Sequence, residues 1–215
     1  MRGGAAGCIL SAMGGITGLE QLALTRHRNV RIGDDRSLRR AAERGTLTRL
    51  RIGAYVPTAV WNGLSRQERH RLAAAAAAEM SGSFVASGRT AAALWGMPTL
   101  GRGDGLVHAR VTTAAGSRTE HGFRKHAVAD TALHVTAVDG VPTTTLERTV
   151  IDLALTETFE SAVVAADWAL AHGATKESSR AALDELAPKQ GRARVETVIA
   201  FALSLIHISE PTRPY

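Results

Sequence analysis

The residues in this chain best suited to chemistry are arginines, and the chemistry is electrostatic. Between Arg26 and Arg51 stand nine arginines against three acids, Asp34, Asp35 and Glu43, a surplus of six positive charges. The whole chain holds 26 Lys and Arg against 20 Asp and Glu, again a surplus of six. Everything outside the window is therefore balanced. Such a concentration is an electrostatic footprint for phosphates; the alternative is an arginine-rich face that is merely solvated. Within the window Leu38, Ala41 and Ala42 recur at i, i+3 and i+4, one face of a helix. Arg36, Arg40 and Glu43 fall opposite, with Arg39 and Arg44 on the flanks. Glu43 lies within i+4 reach of Arg39, which would blunt the charge. The candidate DNA contacts are Arg36, Ser37, Arg39, Arg40 and Arg44 from the helix, and Thr48, Arg49 and Arg51 from the strand after it.

Other chemistries find little support. The chain has one cysteine, Cys8, so neither an internal disulfide nor a cysteine metal cluster can form. Of the eight histidines, His121, His126 and His134 cluster in a strand region without helical HxxxH spacing. They read as strand or surface histidines, not metal ligands. No phosphate-binding GxxxxGK[ST] loop, GxSxG elbow or GxGxxG turn occurs. Gly101-Arg-Gly103-Asp-Gly105 alternates glycines outside any strand-to-helix context and reads as a flexible loop. Glu147, Asp152 and Asp167 show no paired spacing, and Arg148 with Asp152 at i+4 makes a structural pair. No catalytic residue, metal or cofactor is expected. No apolar run approaches a membrane span, and MRGGAAGC lacks the apolar stretch of a signal peptide. A cytoplasmic protein without a membrane partner is expected.

These arginines need elements to hold them. Asp34 and Asp35 can cap the helix, and Gly45 can end it in the left-handed conformation. Leu47–Arg51 and Ala54–Val56 then form a tight hairpin turning at Gly53. Upstream, Cys8–Met13 is a helix candidate, and the Thr17–Glu20 capping box opens another through about Thr25. Three helices and a basic hairpin make a winged helix-turn-helix, although Arg26–Gly33 is long for its turn. Pro57–Gly63 reads as a linker. Ser65 and Glu68 box the start of a helix through Met80.

Beyond it the pattern is α+β: a small antiparallel sheet, then a helical block. Strands are expected at Phe84–Ala86, Leu106–Thr113, Gly122–Val128 and Leu133–Val138, with a hairpin turn at Asp139-Gly140. Helices are expected from Ser87 to Trp95, from Thr145 to about Leu155, along Phe159, Val163, Ala166 and Leu170, from Thr175, and after Gly191. The domains are then 1–63, a winged helix-turn-helix; 64–190, an α+β domain; 191–202, the start of a further region; and 203–215, a tail. A fragment from about Ser65 to Ala202 is expected to fold alone.

The order of RIGAYVP, LSRQERHRL, SGRTAAALWGMP and VDGVPTTTLERTVIDLA resembles the actinobacterial members of the AbiEi-type antitoxin family of type IV toxin–antitoxin systems. The telling stretches are Thr145-Leu-Glu-Arg148-Thr-Val-Ile-Asp152-Leu-Ala, where Leu146 or Glu147 stands at a position often proline, and Gly53-x-Tyr55-x-Pro57. The resemblance implies a DNA-binding autoregulator acting on its own promoter, and a second domain that opposes a nucleotidyltransferase-like toxin. Many chains of this layout continue into a Vsr-like endonuclease domain. The alternative function is therefore the specificity part of such a nuclease without its catalytic domain. Leu203–Tyr215, LSLIHISEPTRPY, resembles a translated transposase adapter and is expected to lie outside the fold. The helix Arg192–Ala202 is expected to be poorly anchored.

Overall fold

The structure, a computed structural model, describes residues 15–27, 30–31, 35–111, 116–120, 122–128, 134–188 and 190–202. The expected helix Cys8–Met13, the candidate cap Asp34, His121 and the tail from Leu203 lie outside the described residues. The protein is α+β.

Its N-terminal part is built on a three-stranded sheet in the order β1-β5-β4. A 3-10 turn, Leu19–Gln21, leads into β1 (Ala23–Leu24) and a two-stranded ladder of β2 (Arg26–His27) and β3 (Val30–Arg31). Then come α1 (Asp35–Glu43), β4 (Leu47–Arg51) and β5 (Ala54–Pro57). The helix expected from Thr17 through Thr25 is thus a single 3-10 turn and a strand. Gly18 precedes the turn at φ 83° without a side-chain cap, and the Thr17 hydroxyl donates to Glu68 Oε1 at 3.2 Å instead. Ala23 and Leu24 are claimed by pairing with Tyr55 and Ala54, a tertiary demand that outweighs the local capping signal.

The expected linker Pro57–Gly63 is a second correction, because α2 (Thr58–Gly63) occupies it. Pro57, extended at ψ 131°, stands just before the helix, where a missing N–H costs nothing. Val60 and Trp61 of α2 pack against the core.

The helix α3 (Arg66–Met80) begins with the expected capping box, Ser65 and Glu68 each bonding the other's backbone N–H. Its alanine run is buried from Ala74 to Ala78. A helix that is apolar all round belongs in the interior, and alanines let neighbours approach closely. One hydrophobic cluster runs through α3 from Ile16, Leu19, Leu22 and Val56 to Phe84, Val107, Phe123 and Val141.

The larger sheet has six strands in the order β10-β11-β6-β7-β9-β8. They are β6 (Val85–Ala86), β7 (Val107–Val111), β8 (Arg118–Glu120), β9 (Phe123–Ala127), β10 (Val135–Val138) and β11 (Val141–Thr144), with α4 (Gly88–Trp95) between β6 and β7. The sheet is mixed, not antiparallel as expected. Its outer hairpins are antiparallel, yet β11 runs parallel to β6 and β7 parallel to β9. Chain reversals at Asp139-Gly140, both at positive φ, and at Gly122 give the hairpins. The crossovers give the parallel joins.

A second apolar cluster holds α5 (Leu146–Thr156), α6 (Phe159–Ala171), α7 (Lys176–Leu186) and α8 (Arg192–Phe201). Thr145 and Thr175 cap as expected, each hydroxyl accepting a backbone N–H three residues on. Contrary to expectation, α8 is firmly seated, with Val195, Val198, Ile199 and Ala202 buried. No helix among the described residues is long and apolar enough to cross a membrane.

Candidate nucleic-acid interface

Burial divides α1 as its apolar spacing requires. Asp35, Leu38, Ala41 and Ala42 are half-buried, while Arg36, Ser37, Arg39, Arg40, Glu43 and Arg44 are exposed. No side chain of α1 is fully buried. The helix lies against β4 by its small apolar stripe and depends on its two ends for a fixed pose.

The N-terminal end is tied by Asp35. One carboxylate oxygen accepts the Tyr55 hydroxyl at 2.5 Å and the other accepts Arg39 Nη2 at 2.9 Å. The phenol of Tyr55 belongs to a residue wholly removed from solvent on β5. Its hydrogen bond, followed by that of Arg39, holds the Asp35 carboxyl below the usual carboxylate range. Burial, and then the bond to Asp35, pushes the Tyr55 hydroxyl up, so it stays a donor. Arg39 thus pairs with Asp35 and not with Glu43.

The C-terminal end is closed by a Schellman motif. Gly45, at φ 77°, donates to Ala42 O at 3.0 Å, and Thr46 N donates to Ala41 O at 3.1 Å. The Thr46 hydroxyl adds a bond to the same Ala41 carbonyl at 2.9 Å. The strand that follows is therefore launched in a fixed direction from the helix.

The hairpin pairs Leu47 with Pro57, Thr48 with Val56, Arg49 with Tyr55 and Arg51 with Ala54, with an irregularity between Arg49 and Arg51. In a regular strand residues 49 and 51 share a face. The break separates them. Arg49 is exposed, its Nε donating to Arg51 O at 3.4 Å. Arg51 is half-buried, its guanidinium 4.4 Å above the ring of Phe123 on β9. Thr48 is also half-buried and donates to the Thr58 hydroxyl at 3.1 Å. At the hairpin tip Gly53 receives Thr25 N at 2.8 Å on its carbonyl, and a Cβ there would meet Thr25 Oγ1 at 2.3 Å. Beside it Ile52 stands 48% exposed.

The structure therefore gathers Arg36, Ser37, Arg39, Arg40 and Arg44 on one exposed face with Arg49 following, while Thr48 and Arg51 lean inward. Arg40 and Arg44 enter no ion pair among the described residues. Sequence reasoning missed Tyr55 and Asp35 as the tether. The tether joins residues 20 positions apart, beyond the reach of helix periodicity or capping signals.

Elsewhere, Thr145–Ala154 is framework. Thr149 donates to Thr145 O at 2.7 Å, Arg148 pairs with Asp152 at 2.8 Å, and Val150, Ile151, Leu153 and Ala154 are buried. Of the strand histidines, His126 stacks on His108 with centroids 5.5 Å apart, and His134 stands ahead of β10 at φ 55°. No known family model matches this chain, and no curated protein is significantly similar to it.

Proposed function

We propose that the protein is a DNA-binding transcriptional autoregulator with antitoxin character, that α1 is its recognition helix and that the β4–β5 hairpin is its wing. The observation carrying this reading is the exposed arginine face of α1, tethered at one end by Asp35 and Tyr55 and closed at the other by Gly45. Arginines on a fixed helix can meet phosphates and base edges together, the latter through bidentate bonds to guanine. The strand order β1-β5-β4 supports a wing, since a strand from ahead of the helix closes the hairpin into a sheet. In this reading the protein works in the cytoplasm by binding its own promoter and not by catalysis. Its α+β remainder opposes a nucleotidyltransferase-like toxin.

Gel-shift titration against the DNA upstream of the gene tests it. Arg36→Ala with Arg40→Ala should abolish the shift while the thermal transition stays within about 0.5 kcal/mol of the parent, as for surface changes generally. The affinity of the parent should fall steeply with salt, each phosphate contact adding about −0.9 to the log–log slope. Undiminished binding by the double variant would remove α1 from the interface. The antitoxin half is tested by co-expression with a nucleotidyltransferase-like toxin, where the parent chain should restore growth.

A further inference from the structure

A cleft of about 600 Å³ opens between the first half of α3, the end of α4 and the loop before β7. That size lies in the range of small-molecule sites. One wall is apolar: Trp61, Ala73, Ala93, Met97, Leu106 and Val107. The lining also includes Arg66, Arg69, Arg89, Arg102, Asp104 and His70, and the Arg69 guanidinium sits over the Trp61 ring, 5.3 Å from its centroid.

The charged groups are not equally available. Arg89 is committed: it grips Glu157 with two bonds of 2.6 Å and donates to the carbonyls of Leu100 and Gly101 at 2.5 and 3.3 Å. Those bonds also correct the expectation of a flexible loop. Gly103, at φ 63°, sits so close that a Cβ would meet Arg89 Cδ at 2.9 Å, so the glycines let the loop wrap this side chain. Asp104 is committed as well. It accepts Leu106 N at 3.0 Å and His108 Nε2 at 3.1 Å, and Arg124 stands 3.6 Å away. His70 shares the Thr90 hydroxyl at 2.9 Å, and burial followed by the nearby His108 keeps its pKa below the ordinary imidazole value.

Three guanidinium groups remain. A guanidinium has five N–H donors. Arg66 donates to Arg102 O, and Arg69 gives Nε to Trp61 O at 2.9 Å and Nη2 to Asn62 O at 3.2 Å. Both keep further donors, and the Arg102 side chain is exposed. The cleft thus joins a cationic rim with spare donors to an apolar wall, while its one lining carboxylate is already satisfied.

We propose that this cleft binds a small amphipathic anion, an apolar or aromatic body bearing one phosphate or carboxylate. The body lies against Trp61, Met97 and Leu106, and the anion meets Arg66, Arg69 and Arg102. An inorganic ion would leave the apolar wall wet, and a neutral apolar molecule would leave the guanidinium groups without a counter-charge. The site is independent of the α1 reading.

Titration of the full chain with 1-naphthyl phosphate, 1-naphthoate and 1-naphthol, followed by NMR on the indole N–H peaks of its three tryptophans, tests the proposal. The phosphate or the carboxylate should saturate with a dissociation constant of about 1 mM or tighter. The Trp61 indole should shift and the Trp168 indole should not. Whichever anion binds more tightly names the headgroup, and 1-naphthol should bind at least about tenfold more weakly than it, the loss of one charge-assisted bond. Arg102→Gln should weaken the anion by a similar factor, and Ala93→Phe should abolish binding by filling the cleft. Arg102 is on the surface, so its variant remains informative if Ala93→Phe does not fold. Equal binding of 1-naphthol, parent-like affinity in Arg102→Gln, no saturation with either anion, or displacement of the probe by a short DNA duplex would each overturn the proposal.

Discussion

The helices α1 and α3 are nearly opposite solutions to the same problem of placing a helix. In α3 the alanines from 74 to 78 are buried and the core closes around them. In α1 no side chain is fully buried, and two end devices set the pose. The first is held by area: burying apolar surface stabilises by roughly 25 cal/mol per Å². The second is held by a few directional bonds. A helix held by area tolerates no change of volume but any change of pH that leaves it neutral. A helix held by bonds leaves its outer face open to a partner, and it is vulnerable at single atoms.

The comparison is broken most violently by cutting between the two helices. A fragment from Ser65 to Ala202 removes Ile16, Leu19, Leu22, Ala54 and Val56, all from the cluster that packs on α3. Fully burying one such aliphatic side chain is worth about 1.5–3 kcal/mol, so losing the four larger ones removes roughly 6–12 kcal/mol, comparable to the roughly 5–15 kcal/mol of a typical domain. The fragment should lose its cooperative thermal transition, which calorimetry would show. A fragment melting like the full chain would mean that α3 belongs wholly to the second part.

A smaller break uses one atom. Tyr55→Phe deletes the hydroxyl on Asp35 while keeping the ring in the core. A hydrogen bond to a charged group is worth about 1.5–3 kcal/mol, and water can reach Asp35, so the lower end is expected. Denaturant titration would measure it. In the proposed function, promoter affinity should fall roughly tenfold with an unchanged salt slope, because the arginines persist while their platform loosens. An unchanged affinity would show that the apolar stripe alone positions α1.

Acid should separate the two regions by the order in which they fail. His70 and His126 are half-buried, and burial first, then His108, holds both below the ordinary imidazole value of about 6.5. For such groups the unfolded chain binds protons first. Stability is therefore full above the ordinary value and falls as pH drops through it toward the folded value. Asp35 is shifted below its ordinary range, so its contribution is full above the ordinary carboxylate value and is lost only as the pH falls from there through the lower folded value. Hydrogen exchange between pH 7.5 and 5 should show protection falling around α3, α4 and β9 while the Tyr55–Asp35 tether persists. His126→Phe should flatten the trend. Simultaneous loss at both places would show that the regions unfold as one.

How much of this was legible in the sequence follows from the reach of each signal. The Ser65–Glu68 box, the Thr145 and Thr175 caps, the Gly45 stop and the Asp139-Gly140 turn act within a few residues, and each stands where the sequence placed it. Thr17–Glu20 carried the same kind of signal and failed, because Ala23 and Leu24 pair with β5, thirty residues downstream. The parallel joins of the sheet are likewise long-range. In the candidate interface, helical periodicity found the arginine face, but the irregularity that turns Arg51 toward Phe123 has no local marker in the sequence. The cleft needed α2, α3, α4 and a wrapped loop to meet, and the sequence marked α2 and the loop only as connectors.

The finest test lies at Gly45, where α1 stops. Its φ is 77°, and a Cβ would meet nothing within 4 Å, so the cost of a side chain there is conformational and not steric crowding. A left-handed non-glycine residue costs about 1–2 kcal/mol, least for Asn, whose short polar side chain bonds locally. Gly45→Ala should therefore lower stability by about 1 kcal/mol, and Gly45→Asn by only a few tenths. The loss should appear as fraying of Ala41, Ala42 and Thr46, whose bonds form the Schellman motif, and not as a change in α3. Amide exchange at residue 45 and at Thr46, the two donors of the motif, reads it directly. If alanine at 45 loosened α3 as much as the end of α1, the distinction between a helix held by its ends and one held by its surroundings would not describe this molecule.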